Sequence, residues 1–331
     1  MSPAFSPEAA AFEEVEPFRR QLNAYCYRML ASPHDAEDAV QETFIRAWRG
    51  LSRLDDRAGL RPWLYRIATN VCLDMLKGRN RRALPTSVAP PVRGKGWDAS
   101  HELALGTPRP EATWVLPVPD SLIASTDDDP ADAIVKRESV RLAFIAAMQD
   151  LHPRQRAVLI LRDVLRWKAE EVAELLGTST DAVNSTLRRA RAAMDQAELA
   201  AAPAQPLGLD LELLRQYVEA FERYDVDALV ALLHEDATLT MPPFELWLQG
   251  IDDICGFLAA MQSEGGRDRV VTVAANGCPA LAIYRPNRES QVLEAFGIHV
   301  LECAGERIVA IHAFLDPGLF AVFGLPVVFE G

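Results

Sequence analysis

The sequence predicts a multidomain protein in which two all-α blocks, joined by a Pro-rich linker, precede an α+β module. Three observations carry this. Apolar residues recur at helical spacing from Glu16 to Arg82 and again from Glu138 to Met194, residues 84 to about 130 are rich in proline and poor in periodicity, and beyond Gly208 short alternating apolar runs replace the helical pattern. At 331 residues the chain is also long for one compact core. The spacing gives boundaries of 1–83 and 131–200 for the helical blocks, 84–130 for the linker and 209–331 for the α+β module.

In the first block Leu22, Tyr25 and Met29 lie at i, i+3, i+7, and Val40, Phe44, Ala47 and Trp48 follow the same rule in the next helix. Pro33 opens that second helix, with Asp35, Glu37 and Asp38 in its first turn, where negative charge suits the helix dipole. A further helix from about Pro62 ends in Lys77, Arg79, Arg81 and Arg82, a tail that suits a helix C-terminus and also makes a basic edge. Trp63 and Tyr65 are read as core, because aromatics at helical spacing pack more often than they stack on a ligand.

Within the linker, TWVLPVPDSLI (Thr113–Ile123) is too apolar for a simple spacer and is expected to dock on a folded surface. The second block contains WKAEEVAELLG, a short turn and a second helix, a helix-turn-helix pattern in which Gly177 ends the first helix and Thr178 or Ser179 caps the second. At 100° per residue Val183, Leu187, Ala190 and Met194 form one stripe, and Asp181, Ser185 and Arg188 face the opposite way. In the last third, helices are expected over Asp210–Glu222 and Val226–His234, followed by strands in ATLTMP, RVVTVAANG, PALAIYR, QVLEAFGIHVLECAG and ERIVAIHAFLD. Both faces of QVLEAFGIHVLECAG are mostly apolar, so that strand should be covered on both sides.

Charge is distributed unevenly. The formal net charge is −13, yet residues 201–331 alone carry 7 basic and 19 acidic side chains, so the helical blocks are near neutral with local basic clusters. No apolar run approaches the roughly 20 residues needed to span a bilayer, and the acidic N-terminus lacks the pattern of a secretory signal. Five scattered cysteines without a CxxC pair point away from a disulfide framework or a thiolate metal site and toward a reducing, cytoplasmic setting, with no metal or cofactor expected.

Three strings, DAEDAVQETFIRAW, RPWLYRIATNVCLDMLKGRNRR and LHPRQRAVLILRDVLRWKAEEVAELLGTSTDAVNSTLRRAR, closely resemble in order and spacing the two conserved domains of bacterial extracytoplasmic-function sigma factors. TWVLPVPDSLI, MPPFELWLQG, HAFLD and FGLP resemble the subgroup that adds a C-terminal SnoaL-like domain of the NTF2-like cone fold. The resemblance implies that Asp35, Glu37, Asp38, Gln41, Glu42 and Trp48 dock on the β′ clamp helices of core RNA polymerase, with the β flap as a further polymerase contact. Without it, acids and amides on an exposed helix read as a solvated face.

The resemblance further implies that Asn70, Asp74, Lys77, Arg79, Arg81 and Arg82 lie near the −10 promoter element, and that the helix-turn-helix reads the −35 element. There Thr180, Asp181, Asn184, Ser185 and Arg188 reach base edges, while Ser179, Arg189 and Arg191 meet phosphates. Two departures stand out: the adjacent acids of LDDRAGL, and Asn184 and Thr186 where many relatives have arginine. With few cations on the reading helix, the free protein should bind promoter DNA poorly.

For the acidic last third, His234, Asp236, Trp247, His299 and His312 are candidate pocket groups. No nucleophile or metal-ligand cluster accompanies them, so no enzyme is expected. The resemblance implies control in cis, through contact between this domain and the sigma domains. Two other readings stand beside it: an autonomous helix-turn-helix regulator with a ligand-sensing C-terminal domain, and an enzyme carrying a DNA-binding tether. The blocks DAEDAVQETFIRAW and RPWLYRIATN separate the first reading from the regulator, which has no use for them, while the enzyme reading would need turnover by the isolated cone.

Overall fold

A computed structural model describes residues 14–51, 59–94, 105–123, 135–198, 211–262, 268–287 and 289–329. The chain divides into two compact units, one made of Met1–Arg81 and Asp120–Ala201, the other of Arg82–Pro119 and Ala202–Gly331. It therefore passes from one unit to the other three times. The acids Asp55 and Asp56 of LDDRAGL and the second Pro/Ala-rich linker fall outside the described residues.

The first unit is helical: α1 (Arg19–Leu30), α2 (Pro33–Gly50), α3 (Leu60–Met75), α4 (Asp120–Ile123), α5 (Leu142–Gln149), α6 (Pro153–Leu159), α7 (Ala169–Leu176) and α8 (Thr180–Glu198). Ser32 caps α2 by accepting the Asp35 N–H at 3.3 Å, with Pro33 in the first turn. Leu22, Tyr25 and Met29 are fully buried, as are Val40 and Ala47, but Trp48 stands off that stripe and is 48% exposed. Trp63 packs against Gly50, where an added Cβ would come within 2.9 Å of the indole ring.

The two helical blocks share one core. Tyr65 of α3 meets Tyr25 at 5.3 Å between ring centroids and Trp167, just before α7, at 5.1 Å, while the Arg61 guanidinium lies 5.7 Å from both the Tyr65 and Trp167 rings. Buried aromatics of this size each contribute about 2–3 kcal/mol. Burial raises the Tyr65 phenol pKa, keeping it neutral. Arg28 of α1 donates to Ser139 Oγ and the Lys136 carbonyl, and Arg66 of α3 donates to Glu174 of α7 at 3.3 Å.

In the helix-turn-helix, Gly177 takes φ +61° and ends α7, a conformation that costs glycine nothing. Ser179 Oγ accepts the Ala182 N–H at 3.2 Å and so caps α8. Val183, Leu187, Ala190 and Met194 are all buried, as the sequence stripe requires.

The second unit is an α+β fold with α9 (Leu211–Glu222), α10 (Val226–Ala231), α11 (Ile251–Gln262), α12 (Leu319–Val322) and a six-stranded sheet, β1 (Leu233–Thr240), β2 (Trp247–Gln249), β3 (Arg269–Ala275), β4 (Cys278–Pro286), β5 (Leu293–Ala304) and β6 (Arg307–Phe314). The order is β2-β1-β6-β5-β4-β3, mixed because β1 and β6 run parallel while the other neighbours are antiparallel. One face packs Leu281, Leu301 and Ile311 against Leu213 and Tyr217 of α9 and Phe257 of α11. β5 is buried on both faces from Gly297 to Cys303.

The linker belongs to this second unit. Val118 and Asn276 exchange hydrogen bonds at 2.9 and 3.1 Å, Val92 N–H donates to the Trp247 carbonyl at 2.9 Å, and Trp114, Val115, Leu116 and Val118 are buried. The expected docking of TWVLPVPDSLI is thus seen for its first seven residues, whereas Asp120–Ile123 forms α4 in the helical unit. Two differences from the sequence reading are local. The helix expected to reach His234 ends at Ala231, where β1 takes over, and short β2 and amphipathic α11 have no counterpart in the expected list.

Candidate polymerase and nucleic-acid interfaces

Helix α2 buries one side and leaves Glu37, Asp38, Gln41, Ile45 and Trp48 exposed. Gln41, Ile45 and Trp48 follow i, i+4, i+7, so two large apolar side chains, 43% and 48% exposed, line up beside two acids on one face. Ile45 is the member that sequence reasoning missed, though its spacing from Gln41 could have found it. Asp35 and Glu42 face elsewhere: Asp35 pairs with Arg79 at 3.0 Å, and Glu42 with Arg46 at 2.7 Å. An expected polymerase contact and an expected DNA contact therefore neutralise each other.

The basic tail after α3 is also divided. Asn70, Asp74, Lys77, Arg79 and Arg81 are exposed. Lys77 pairs with Asp74 at 2.7 Å and holds its carboxyl below the usual range, and Arg81 pairs with Asp150. Arg82 is a correction. It is buried, and its guanidinium donates to the carbonyls of Glu111 and Trp114, both at 2.9 Å, so it organises the linker instead of facing solvent. The bound carbonyls come from residues about thirty positions away, which local charge patterning does not register.

On α8, Asp181, Asn184, Arg188 and Arg189 are exposed and Thr180 and Ser185 half-buried, with Asp181, Ser185 and Arg188 on the side away from the packing stripe. Ser179 is occupied as the cap. Arg191 is held by Asp163 through two hydrogen bonds at 2.8 and 2.6 Å, and that carboxylate raises its pKa. The least engaged part of the helix is its first half, from Thr180 to Arg188, the part that a major groove would receive.

The five candidate pocket groups do not converge. His234 and Asp236 are exposed at the start of β1, where the Asp236 N–H donates to His234 Nδ1 at 3.2 Å. Trp247 anchors the linker by donating from Nε1 to the Ala89 carbonyl at 2.7 Å. His312 is buried with Thr240 Oγ1 2.9 Å from its Nδ1 and Glu302 Oε1 3.6 Å from its Nε2. In the β4–β5–β6 register His299 lies beside Leu281 and Ala313, whereas His312 lies beside Val300. Alternation along a strand therefore puts the two histidines on opposite faces. Only His299 joins the apolar core face, and the sequence alone could not tell which.

Comparison with known proteins matches residues 15–82 to Sigma-70 region 2, residues 141–194 to Sigma-70 region 4 and residues 214–311 to the SnoaL-like domain. The chain is 47% identical over 321 residues to ECF RNA polymerase sigma factor SigG of Mycobacterium tuberculosis, covering 94% of this chain and 83% of that one. It is 32% identical over 227 residues to SigJ of the same organism, 69% of this chain and 63% of that relative. The crystal structure of SigJ superposes with a TM-score of 0.60 at 25% identity, covering 95% of this chain and 99% of SigJ.

Proposed function

The chain belongs to the extracytoplasmic-function RNA polymerase sigma factors, and from that premise we propose how its faces divide the work of bringing core polymerase to a promoter and starting transcription. The exposed α2 face of Glu37, Asp38, Gln41, Ile45 and Trp48 docks on the polymerase β′ clamp helices. Its apolar pair beside two acids is the observation that carries this reading, because a merely solvated helix has no need of an exposed Ile and Trp. Arg79, Arg81 and Lys77 serve the −10 element once their carboxylate partners release them. The Thr180–Arg188 face of α8 enters the major groove at −35.

The shared core of the helical unit gives this scheme a resting state. About 25 base pairs separate the −10 and −35 elements, roughly 85 Å at 3.4 Å per step. A compact unit of about 160 residues is only roughly 40 Å across. The pairing of Tyr65 with Trp167 and of Arg66 with Glu174 must therefore open before both elements are engaged. Free protein is closed and binds promoter weakly; polymerase docking opens it. The alternative of an autonomous regulator is not favoured, since it leaves the α2 face unused.

The C-terminal domain acts in cis through the linker. It grips the described linker residues 82–94 and 105–119, and the linker's two ends are covalently joined to the helical unit, so this docking restricts how far the two helical blocks separate. Run-off transcription with purified core polymerase tests the scheme. Trp48→Ala should lower output about tenfold at limiting polymerase, and removal of residues 209–331 should change it. Unchanged polymerase affinity for Trp48→Ala would sink the docking assignment.

A further inference from the structure

Several arginines on helix surfaces take an acid three or four residues away: Arg19 holds Glu16, Arg46 holds Glu42, and Arg215 holds both Glu212 and Glu219. Helix α8 offers Arg188 no such partner. The neighbours at those spacings are Asn184, Ser185, Arg191 and Ala192, and none is acidic. Among the described residues nothing bonds to the side chain of the exposed Arg188 or of the exposed Asn184. The other two arginines of the helix are engaged, Arg189 with Thr186 Oγ1 at 3.3 Å and Arg191 with Asp163.

Asn184 is the less expected of the two. Asparagine is a weak helix former that favours caps and turns, yet this one stands in the second turn of a helix that Ser179 already caps. Asp181 has a structural account, since a carboxylate in the first turn suits the helix dipole. The half-buried Ser185 hydroxyl both donates and accepts, so it discriminates little between bases. Asn184 and Arg188 are left, about 40° apart around the helix and about 6 Å apart along it.

Their forked ends differ in kind. A carboxamide carries an acceptor beside a donor and matches the N6 donor and N7 acceptor that adenine presents in the major groove, whereas a guanidinium carries only donors and matches the O6 and N7 acceptors of guanine. A rise of about 6 Å spans at most about two base steps of 3.4 Å. We propose that Asn184 reads an adenine and Arg188 a guanine, within about two base steps of one another, and that this pair sets the base preference of the chain at −35. Both assignments rest on the reading that α8 enters the major groove there, and they add which bases it selects.

The test uses holoenzyme assembled from core polymerase and the full-length chain, selected against promoters whose −35 window is randomised, with the bound pool sequenced. Wild type should enrich an adenine and, within about two steps of it, a guanine, each by roughly tenfold over the other bases. Asn184→Ala should flatten the adenine position alone and Arg188→Ala the guanine position alone. Asn184→Arg should turn adenine into guanine at that same position, which a merely structural role for Asn184 would not produce. Preferences at −35 that survive both alanine variants, or that flatten at other bases, would overturn the assignments while leaving α8 as the reader. A wild-type pool without any preference across the window would overturn the groove reading and the assignments with it. Wild type alone can also decide against the pair, because a preferred sequence lacking an adenine and a guanine at that spacing excludes it.

Discussion

Arg156 in the helical unit and His299 in the C-terminal domain are both buried polar groups, and they differ in how they are satisfied. Arg156 spends its guanidinium on the carbonyls of Met29, Met148, Gln149 and Leu151 and on Gln149 Oε1, so every side of it is met. Burial lowers its pKa to about 10, which still leaves it charged at neutral pH. His299 leaves Nδ1 unmet among partly exposed aromatic rings. A polar group with all its bonds made holds neighbouring elements together, whereas one with a bond missing costs free energy that the surrounding packing must offset.

The largest effect should come from breaking the satisfied member. Arg156→Leu strips bonds from several buried carbonyls, including that of Met29 in the other helical block, and should cost about 3 kcal/mol or more in urea unfolding. A loss below 1 kcal/mol would place the helical blocks' cohesion elsewhere. Arg82→Ala repeats the experiment on the linker, where the buried Trp114 carbonyl loses its donor and the Glu111 carbonyl keeps only the Trp114 N–H. A cost of about 2 kcal/mol is expected, with faster hydrogen exchange at the Val115 N–H, and unchanged exchange would mean that Arg82 does not hold the linker.

His299 supplies a pH signature. Its folded pKa of about 3 lies below the unfolded value of 6.5, so the unfolded chain takes up the proton first. Stability is full above pH 6.5 and falls as pH drops toward 3, by about 1 kcal/mol at pH 5.5. His299→Phe should remove that part of the slope in urea titrations at pH 7 and 5.5. The smallest effect belongs to the exposed Arg191–Asp163 pair. Arg191→Ala should stay within about 1 kcal/mol in stability, while a phosphate contact would lower the salt slope of holoenzyme binding by about 1.

Much of the site was legible because its signal is local. The α8 stripe, the Gly177 stop and the α2 face all follow from spacing along one helix, where side chains three and four apart share a side. Charge alone did not show partners that come from afar: Arg79 and Arg191, expected near nucleic acid, are paired with Asp35 and Asp163, and Arg82 is buried with its guanidinium on the Glu111 and Trp114 carbonyls. The candidate pocket failed for the same reason. Histidine identity is visible in a sequence, whereas the face of a sheet on which it lies depends on strand register.

By itself the sequence determined the two helical blocks, the α+β domain and the kinship that ties them to sigma factors, because periodicity and multi-residue strings are carried by neighbouring residues. Only the tertiary structure decided that the helical blocks close on one another through Tyr65 and Trp167, that the linker packs with the C-terminal domain, and that His299 alone of the five candidates lies on the apolar core face. Those outcomes rest on contacts between residues tens to more than a hundred positions apart, and such pairings are set by complementary burial and hydrogen bonding in three dimensions.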